Sequence, residues 1–148
     1  MAQVRASLKE GFPPKVILLV EDDKSNASCI VELISQETPY HVFVAANDAE
    51  AMNFVSQIKP NLLIVDYRLP GMNGIELYDR LHAIPGLEAT PAILLTACLE
   101  DCLDAIETRQ LFGFRKPFDL DDFLYTIEEV ISWPSADSAH SLLSDVLS

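Results

Sequence analysis

Lysine and arginine are missing from the whole chain after Lys116, while Asp119, Asp121, Asp122, Glu128, Glu129, Asp137 and Asp145 all lie beyond it. The formal net charge is −13. A surface with that balance repels phosphate backbones and anionic lipid, so direct nucleic-acid binding and membrane attachment are excluded from the expected functions. Long apolar runs are missing as well. The longest are residues 16–20, 62–65 and 92–95, far short of the roughly 20 residues that span a bilayer. The N-terminus lacks a signal-peptide shape, because Phe12-Pro13-Pro14 follows a mixed polar stretch and no apolar one. A soluble, cytoplasmic protein is the expectation. Cysteine is scarce: Cys29, Cys98 and Cys102 are too few and too irregular for a disulfide framework. Cys98 and Cys102 could share a helix face, but no histidine or further cysteine completes a metal site, which leaves them as small thiols.

What is present is an alternation. The three apolar runs read as core strands of a parallel sheet, short and continuous between polar boundaries. Residues 42–45 give a weaker strand, and residues 112–115 a short, odd one. Helical stripes fall between them. Ala27, Ile30, Val31 and Ile34 share a face, with Ser25 or Asn26 as a cap. Ala51, Met52, Val55 and Ile58 form a second stripe, opened by Asn47-Asp48 and closed before Pro60. Ile75, Leu77, Tyr78 and Leu81 mark a third helix after Gly74, and residues 99–110 a poorer fourth. Asp119 caps a clear fifth, lined by Phe123, Leu124, Ile127, Val130 and Ile131. With 49% apolar residues over 148 positions, the expected fold is α/β: a flavodoxin-like, doubly wound, five-stranded parallel sheet in the order 2-1-3-4-5, with helices on both faces. The expected domain covers residues 15–133. Residues 1–14 read as a flexible extension. Residues 134–148 read as a C-terminal tail without an output domain, in which Leu142, Leu143, Val146 and Leu147 could form a short amphipathic turn.

In such a sheet the ligand crevice lies at the carboxyl ends of the strands, beside the switch point. Strand 1 ends in Glu21-Asp22-Asp23 and its neighbour, strand 3, in Asp66. Clustered carboxylates repel one another, so a site of this kind raises a pKa or holds a cation. An all-oxygen set with no imidazole or thiolate suits a hard divalent ion such as Mg2+, which brings phosphoryl chemistry with it. Strand 4 contributes Thr96, a hydroxyl for a phosphoryl oxygen, and strand 5 leads to Lys116, an ammonium for its charge. Each residue alone has a plain explanation as surface or turn; four strand ends in order make a site.

The segments Ile17-Leu-Leu-Val-Glu-Asp-Asp23, Leu62-Leu-Ile-Val-Asp-Tyr-Arg-Leu-Pro-Gly-Met-Asn-Gly74, Ile93-Leu-Leu-Thr-Ala97 and Lys116-Pro117-Phe118 together resemble the four signature regions of response-regulator receiver domains. The resemblance implies Asp66 as phosphoacceptor, Asp22 as the direct acidic metal ligand beside it, Glu21 as the neighbouring metal acid that usually acts through water, and the backbone carbonyl of Arg68 as a further metal ligand. Thr96 then matches the switch hydroxyl and Lys116 the phosphate-pairing lysine. Pro117 matches a proline that often follows a cis peptide, and Asp23 is an outer acid. The implied donor is a sensor histidine kinase or phosphotransfer protein, and the implied output is contact with a downstream protein or a homodimer. No enzymatic activity beyond the domain's own phosphotransfer and autodephosphorylation is implied.

The pattern departs from the family in two places. The interval from Thr96 to Lys116 is short, with the missing length in the fourth helix or the loop after it. The position of the inward-rotating aromatic, three residues before Lys116, is Gly113, flanked by Phe112 and Phe114. Either a neighbouring phenylalanine serves through a shifted register or the aromatic switch is absent. Arg68 and Cys98 offer no group to orient an attacking water, which suggests a long-lived phosphorylated form. His41, His82 and His140 match no site position, and Trp133 reads as a packing residue. A phosphohydrolase of the haloacid dehalogenase type would want Asp where Arg68 stands, and a flavin-binding protein would want a Ser/Thr/Gly-rich loop where Glu21-Asp22-Asp23 stands. The remaining alternative is a receiver-like module that signals by binding without phosphorylation.

Overall fold

The computed structural model describes residues 14–132. The expected readings of the N-terminal extension before Pro14, of Trp133 and of the 134–148 tail lie outside them. The order of elements is β1 (Val16–Val20), α1 (Lys24–Glu37), β2 (His41–Ala45), α2 (Asp48–Val55), β3 (Leu62–Asp66), β4 (Arg68–Leu69), β5 (Met72–Asn73), α3 (Gly74–His82), β6 (Ala92–Thr96), a 3-10 turn (Leu99–Cys102), α4 (Leu103–Arg109), β7 (Phe112–Arg115) and α5 (Leu120–Ile131). Five strands form one parallel sheet in the order β2-β1-β3-β6-β7. This is the expected doubly wound order.

The continuous apolar runs have a direct cause. Every residue of β3 and β6 is buried, because helices cover both faces of a sheet whose crossovers must pass over it. Alternate side chains divide the core in two. Leu18, Val20, Leu63, Val65 and Leu94 pack with Ala51 of α2, with Ile75, Leu77, Tyr78 and Leu81 of α3, and with Ile106 of α4. On the other face Ile17, Leu19, Ile64, Ile93 and Leu95 meet Ala27, Ile30 and Ile34 of α1 and Phe123, Ile127, Val130 and Ile131 of α5. Phe114, Phe118 and Phe123 form an aromatic group there, with Phe114 edge-on to Phe123 at 5.6 Å and 85°.

Several local expectations are corrected. Helix α1 starts before Ser25 and Asn26, with Asp23 as its N-cap, the carboxylate accepting from Asn26 N at 2.8 Å. An anionic acceptor at that position satisfies a free amide and lies at the positive end of the helix dipole. Helix α2 ends at Val55 and does not run up to Pro60, so Ile58 is left exposed. The chain turns where Ser56 Oγ donates to Asn53 O at 2.6 Å. The region 99–110 is not one helix: a 3-10 turn leads into the short α4, which ends at Gln110 in the left-handed conformation with φ 57°. The hairpin of β4 and β5 is too short to show a period in the sequence; Gly71, at φ 78°, makes its turn. The caps expected at Asn47 and Asp119 are present, and Asn73 with Glu76 forms a capping box at α3.

Candidate functional site

The order β2-β1-β3-β6-β7 sets the ends of β1, β3, β6 and β7 side by side. The backbone then fixes each end. Glu21 N donates to Ala45 O at 3.0 Å, Tyr67 N to Leu95 O at 2.8 Å, and Lys116 N to Thr96 O at 2.9 Å. These bonds carry the ladder one residue past the strands and hold Glu21, Asp66, Thr96 and Lys116 around one cleft of about 670 Å³, which Asp22, Arg68 and Cys98 also line. All six residues expected at the site are therefore brought together. Asp22 and Arg68 are exposed, whereas Glu21, Asp66 and Thr96 are buried.

Lys116 Nζ lies 2.6 Å from Asp66 Oδ1 and 3.6 Å from Glu21 Oε1. Carboxylate oxygens of Glu21, Asp22 and Asp66 lie within 4.8 Å of one another. Glu21 is 2% exposed, and its Oε1 is buried without a hydrogen-bond partner. Burial, and then the neighbouring Asp66 carboxylate, push the Glu21 carboxyl up to about 7. One ammonium shared by two buried acids leaves negative charge uncompensated. The orphaned oxygen and the all-oxygen donor set fit a hard divalent cation.

Asp23 stands beside these acids but is spent on the α1 cap, as an outer acid would be. It also donates its N–H to Glu21 Oε2 at 3.3 Å. Thr96 Oγ1 accepts from Cys98 N at 3.0 Å, so the hydroxyl is engaged by its own loop. The Lys116–Pro117 peptide is cis. His41 and His82 lie away from the cleft, His82 Nδ1 sharing a hydrogen bond with the Tyr78 hydroxyl at 3.2 Å. Sequence reasoning missed Gly74. A Cβ there would lie 2.5 Å from the Asp66 carbonyl oxygen, so α3 presses its first residue against the back of the acidic strand end. The one available signal was a glycine at the first position of a helix, where propensity disfavours it.

The family model for the response regulator receiver domain matches residues 17–128. The chain belongs to this family. Among curated relatives of the receiver, sporulation initiation phosphotransferase F of Bacillus subtilis is 30% identical over 118 residues, covering 77% of this chain and 92% of that protein. Response regulator Rcp1 of Synechocystis is 35% identical over 95 residues, 59% of this chain and 65% of that protein. Among solved structures, the non-phosphorylated HemR receiver domain of Leptospira biflexa superposes with a TM-score of 0.70 at 32% identity, covering 80% of this chain and 94% of that one. The protein is thus a receiver domain of two-component signalling. Among its described residues no helix is long and apolar enough to cross a membrane.

Proposed function

We propose that this receiver takes a phosphoryl group onto Asp66 from a phosphohistidine of a sensor kinase or phosphotransfer protein, and signals through contacts with a further protein. The observation that carries the reading is Lys116 Nζ held at 2.6 Å from Asp66 and 3.6 Å from Glu21 in a cleft of acids. Lys116 holds the Asp66 carboxylate, the nucleophile of the step, in place through their 2.6 Å contact. An Asp66 carboxylate oxygen attacks phosphorus, the O–P bond forms as the donor's N–P bond breaks, and the electron pair returns to the donor imidazole. Lys116 then pairs with the added charge, and Thr96 offers its hydroxyl to a phosphoryl oxygen. Glu21, Asp22 and Asp66, with the Arg68 backbone carbonyl, would hold Mg2+. The bound ion neutralises charge on the transferring group.

The direct test is intact mass after incubation with Mg2+ and acetyl phosphate, beside Asp66→Asn. One added phosphate is expected in the original protein, with none in the variant or in a magnesium-free sample. No uptake from acetyl phosphate or from a phosphohistidine donor would overturn the reading in favour of a module that signals by binding alone. Arg68 and Cys98 stand exposed at the cleft and bring no base to it. The added phosphate should therefore outlast minutes in the same assay, and loss within seconds would count against that lifetime.

Cation affinity should depend on pH in a defined direction. Glu21 must lose its proton to support the ion, directly or through a water, and burial pushes its carboxyl up to about 7. Below that value the apparent Mg2+ affinity should fall by up to about tenfold per pH unit, with one proton released on binding. Calorimetric titration at pH 6 and pH 8 in buffers of different ionisation enthalpy reads both quantities. Equal affinity at the two pH values would exclude Glu21 from supporting the ion.

A further inference from the structure

The two edges of the sheet are unlike. β7 spans 4 residues, ends in Arg115 and runs into Lys116 and Pro117, charges and a proline of the kind that commonly guard an exposed edge. β2 has no such guard. Its residues, His41–Ala45, include no lysine, arginine or proline, and its register against β1 is unbroken from end to end, so no bulge turns it aside. Phe43 is 41% exposed and Val44 44%. Consecutive side chains of a strand point to opposite faces: Phe43 lies 5.2 Å from Phe54 of α2, and Val44 follows Val42 to the face covered by α1 and α5. Helices therefore overhang this edge on neither face.

The backbone sets what can join it. His41 N donates to Lys15 O at 2.9 Å, and Ala45 O accepts from Glu21 N at 3.0 Å. In a parallel ladder alternate residues bond the same neighbour, so the polar groups of His41, Phe43 and Ala45 face β1 and those of Tyr40, Val42, Val44 and Ala46 face outward. Two of the outward donors are already used by the chain itself. Tyr40 N donates to Thr38 Oγ1 at 3.2 Å and Ala46 N to Glu50 Oε1 at 2.9 Å. That leaves the N–H and C=O groups of Val42 and Val44 without a partner among the described residues. Charge narrows the choice of partner. A chain with a formal net charge of −13 repels its own copies over most of its surface, yet residues 38–47 carry no Asp, Glu, Lys or Arg. A basic partner would be drawn to the acids elsewhere; this strip fits a neutral, apolar strand, and a second copy presents one.

We propose that a second copy of this chain pairs antiparallel along β2, about a twofold axis at Phe43, and joins the two sheets into one. Val42 and Val44 of one copy then oppose Val44 and Val42 of the other as hydrogen-bonded pairs, each exchanging both of its N–H···O bonds. Phe43 meets Phe43 in the close pair between them, aromatic against aromatic, with no hydrogen bond required. The next pair along, Tyr40 with Ala46, has its donors already used, so the chain itself ends the ladder on both sides. The interface is isologous and closes on two copies. It leaves the acidic cleft and the β7 edge open, and it does not depend on phosphate reaching Asp66.

Sedimentation of the full chain without any phosphodonor tests the pairing. The mass should rise from the monomer's 16.4 kDa toward twice that value as concentration is raised, in the range of about 10 μM to 1 mM expected of a small interface. Raising NaCl from about 50 to 500 mM should tighten the dimer several-fold, because salt screens repulsion between like-charged copies; an interface built on ion pairs would loosen. Hydrogen–deuterium exchange in peptides covering residues 40–46 should slow several-fold in the concentrated sample, with peptides covering residues 112–125 unchanged. Phe43→Lys and Val44→Lys place charge on opposite faces of the same edge, and each should weaken the dimer at least tenfold while phosphate uptake is retained. Melting curves identify a variant that fails to fold, and the other then carries the test. A monomer throughout the range would overturn the proposal. So would a dimer that survives both substitutions, or one whose protection lies outside residues 40–46.

Discussion

Lys116→Met should destabilise the metal-free protein by about 3 kcal/mol at pH 8, because removing one partner of a buried ion cluster leaves the other charges uncompensated. The loss should shrink to a fraction of that at pH 5. The two acids concerned have side chains only 1% and 7% exposed, for Glu21 and Asp66 respectively. Their charge cannot be left to solvent. The sign follows from Glu21, whose pKa of about 7 in the folded protein stands above the ordinary value of 4.5. A carboxyl raised on folding binds its proton more tightly in the native state. Its contribution is fully present below about pH 4.5 and is lost as pH rises toward 7, at up to about 1.4 kcal/mol for each pH unit between the two values. Without the ammonium the Glu21 carboxyl loses a contribution that lowers it and rises further, so the variant's decline should extend to higher pH. Mg2+ at a hundred times its dissociation constant should restore about 2.7 kcal/mol through mass action. Urea unfolding at the two pH values, with and without Mg2+, gives all four quantities. A loss of equal size at pH 5 and pH 8 would mean that Lys116 contributes by packing and not as a counter-charge.

Gly74→Ala should cost about 2–3 kcal/mol, in the range for overpacking a rigid site, although the same change in an ordinary helix gains up to about 1 kcal/mol. The added methyl would meet the Asp66 carbonyl oxygen at 2.5 Å, and Leu94 Cδ1 and Val65 Cγ1 at 3.0 Å. Side-chain tips can give way; the carbonyl belongs to the backbone of the central strand and cannot. Relief must come from shifting α3 or the end of β3, and the second of these moves the Asp66 carboxylate. A slower uptake of phosphate should therefore accompany the lost stability. Gly71→Ala is the comparison, since it meets nothing within 4 Å and suffers only from its φ of 78°, a penalty of about 1–2 kcal/mol. If Gly74→Ala proves the milder of the two, the steric account fails.

The parts of the fold legible in the sequence are those where one physical demand acts alone. Residues 62–66 are buried on both faces, and burial on both faces leaves a plain apolar run. The strand-end residues Glu21, Asp66, Thr96 and Lys116 are legible because the switch point of a parallel sheet tells where strand ends meet. Positions under two demands mislead. Asp23 sits among the metal acids, which draws attention from its role as the cap of α1. Ile58 continues a helical stripe, yet the chain has already left the helix. Gly113 is visible as a departure from the family, but what fills its place depends on Leu99 and Ile106, from a turn and a short helix with no clean period. Short-range pattern does not report such packing, because tertiary contact decides it.

The cleft has two unlike walls. Asp23 ties the acids of β1 to the first turn of α1, and Gly74 brings α3 hard against the carbonyl of Asp66. The opposite wall is a 3-10 turn leading into an uncapped helix. A mechanical engineer would call the first an abutment and the second a beam pinned at two points, through Glu100 to Arg115 and through Arg109 to Asp79. Anything that shifts the second wall must work against those two pins.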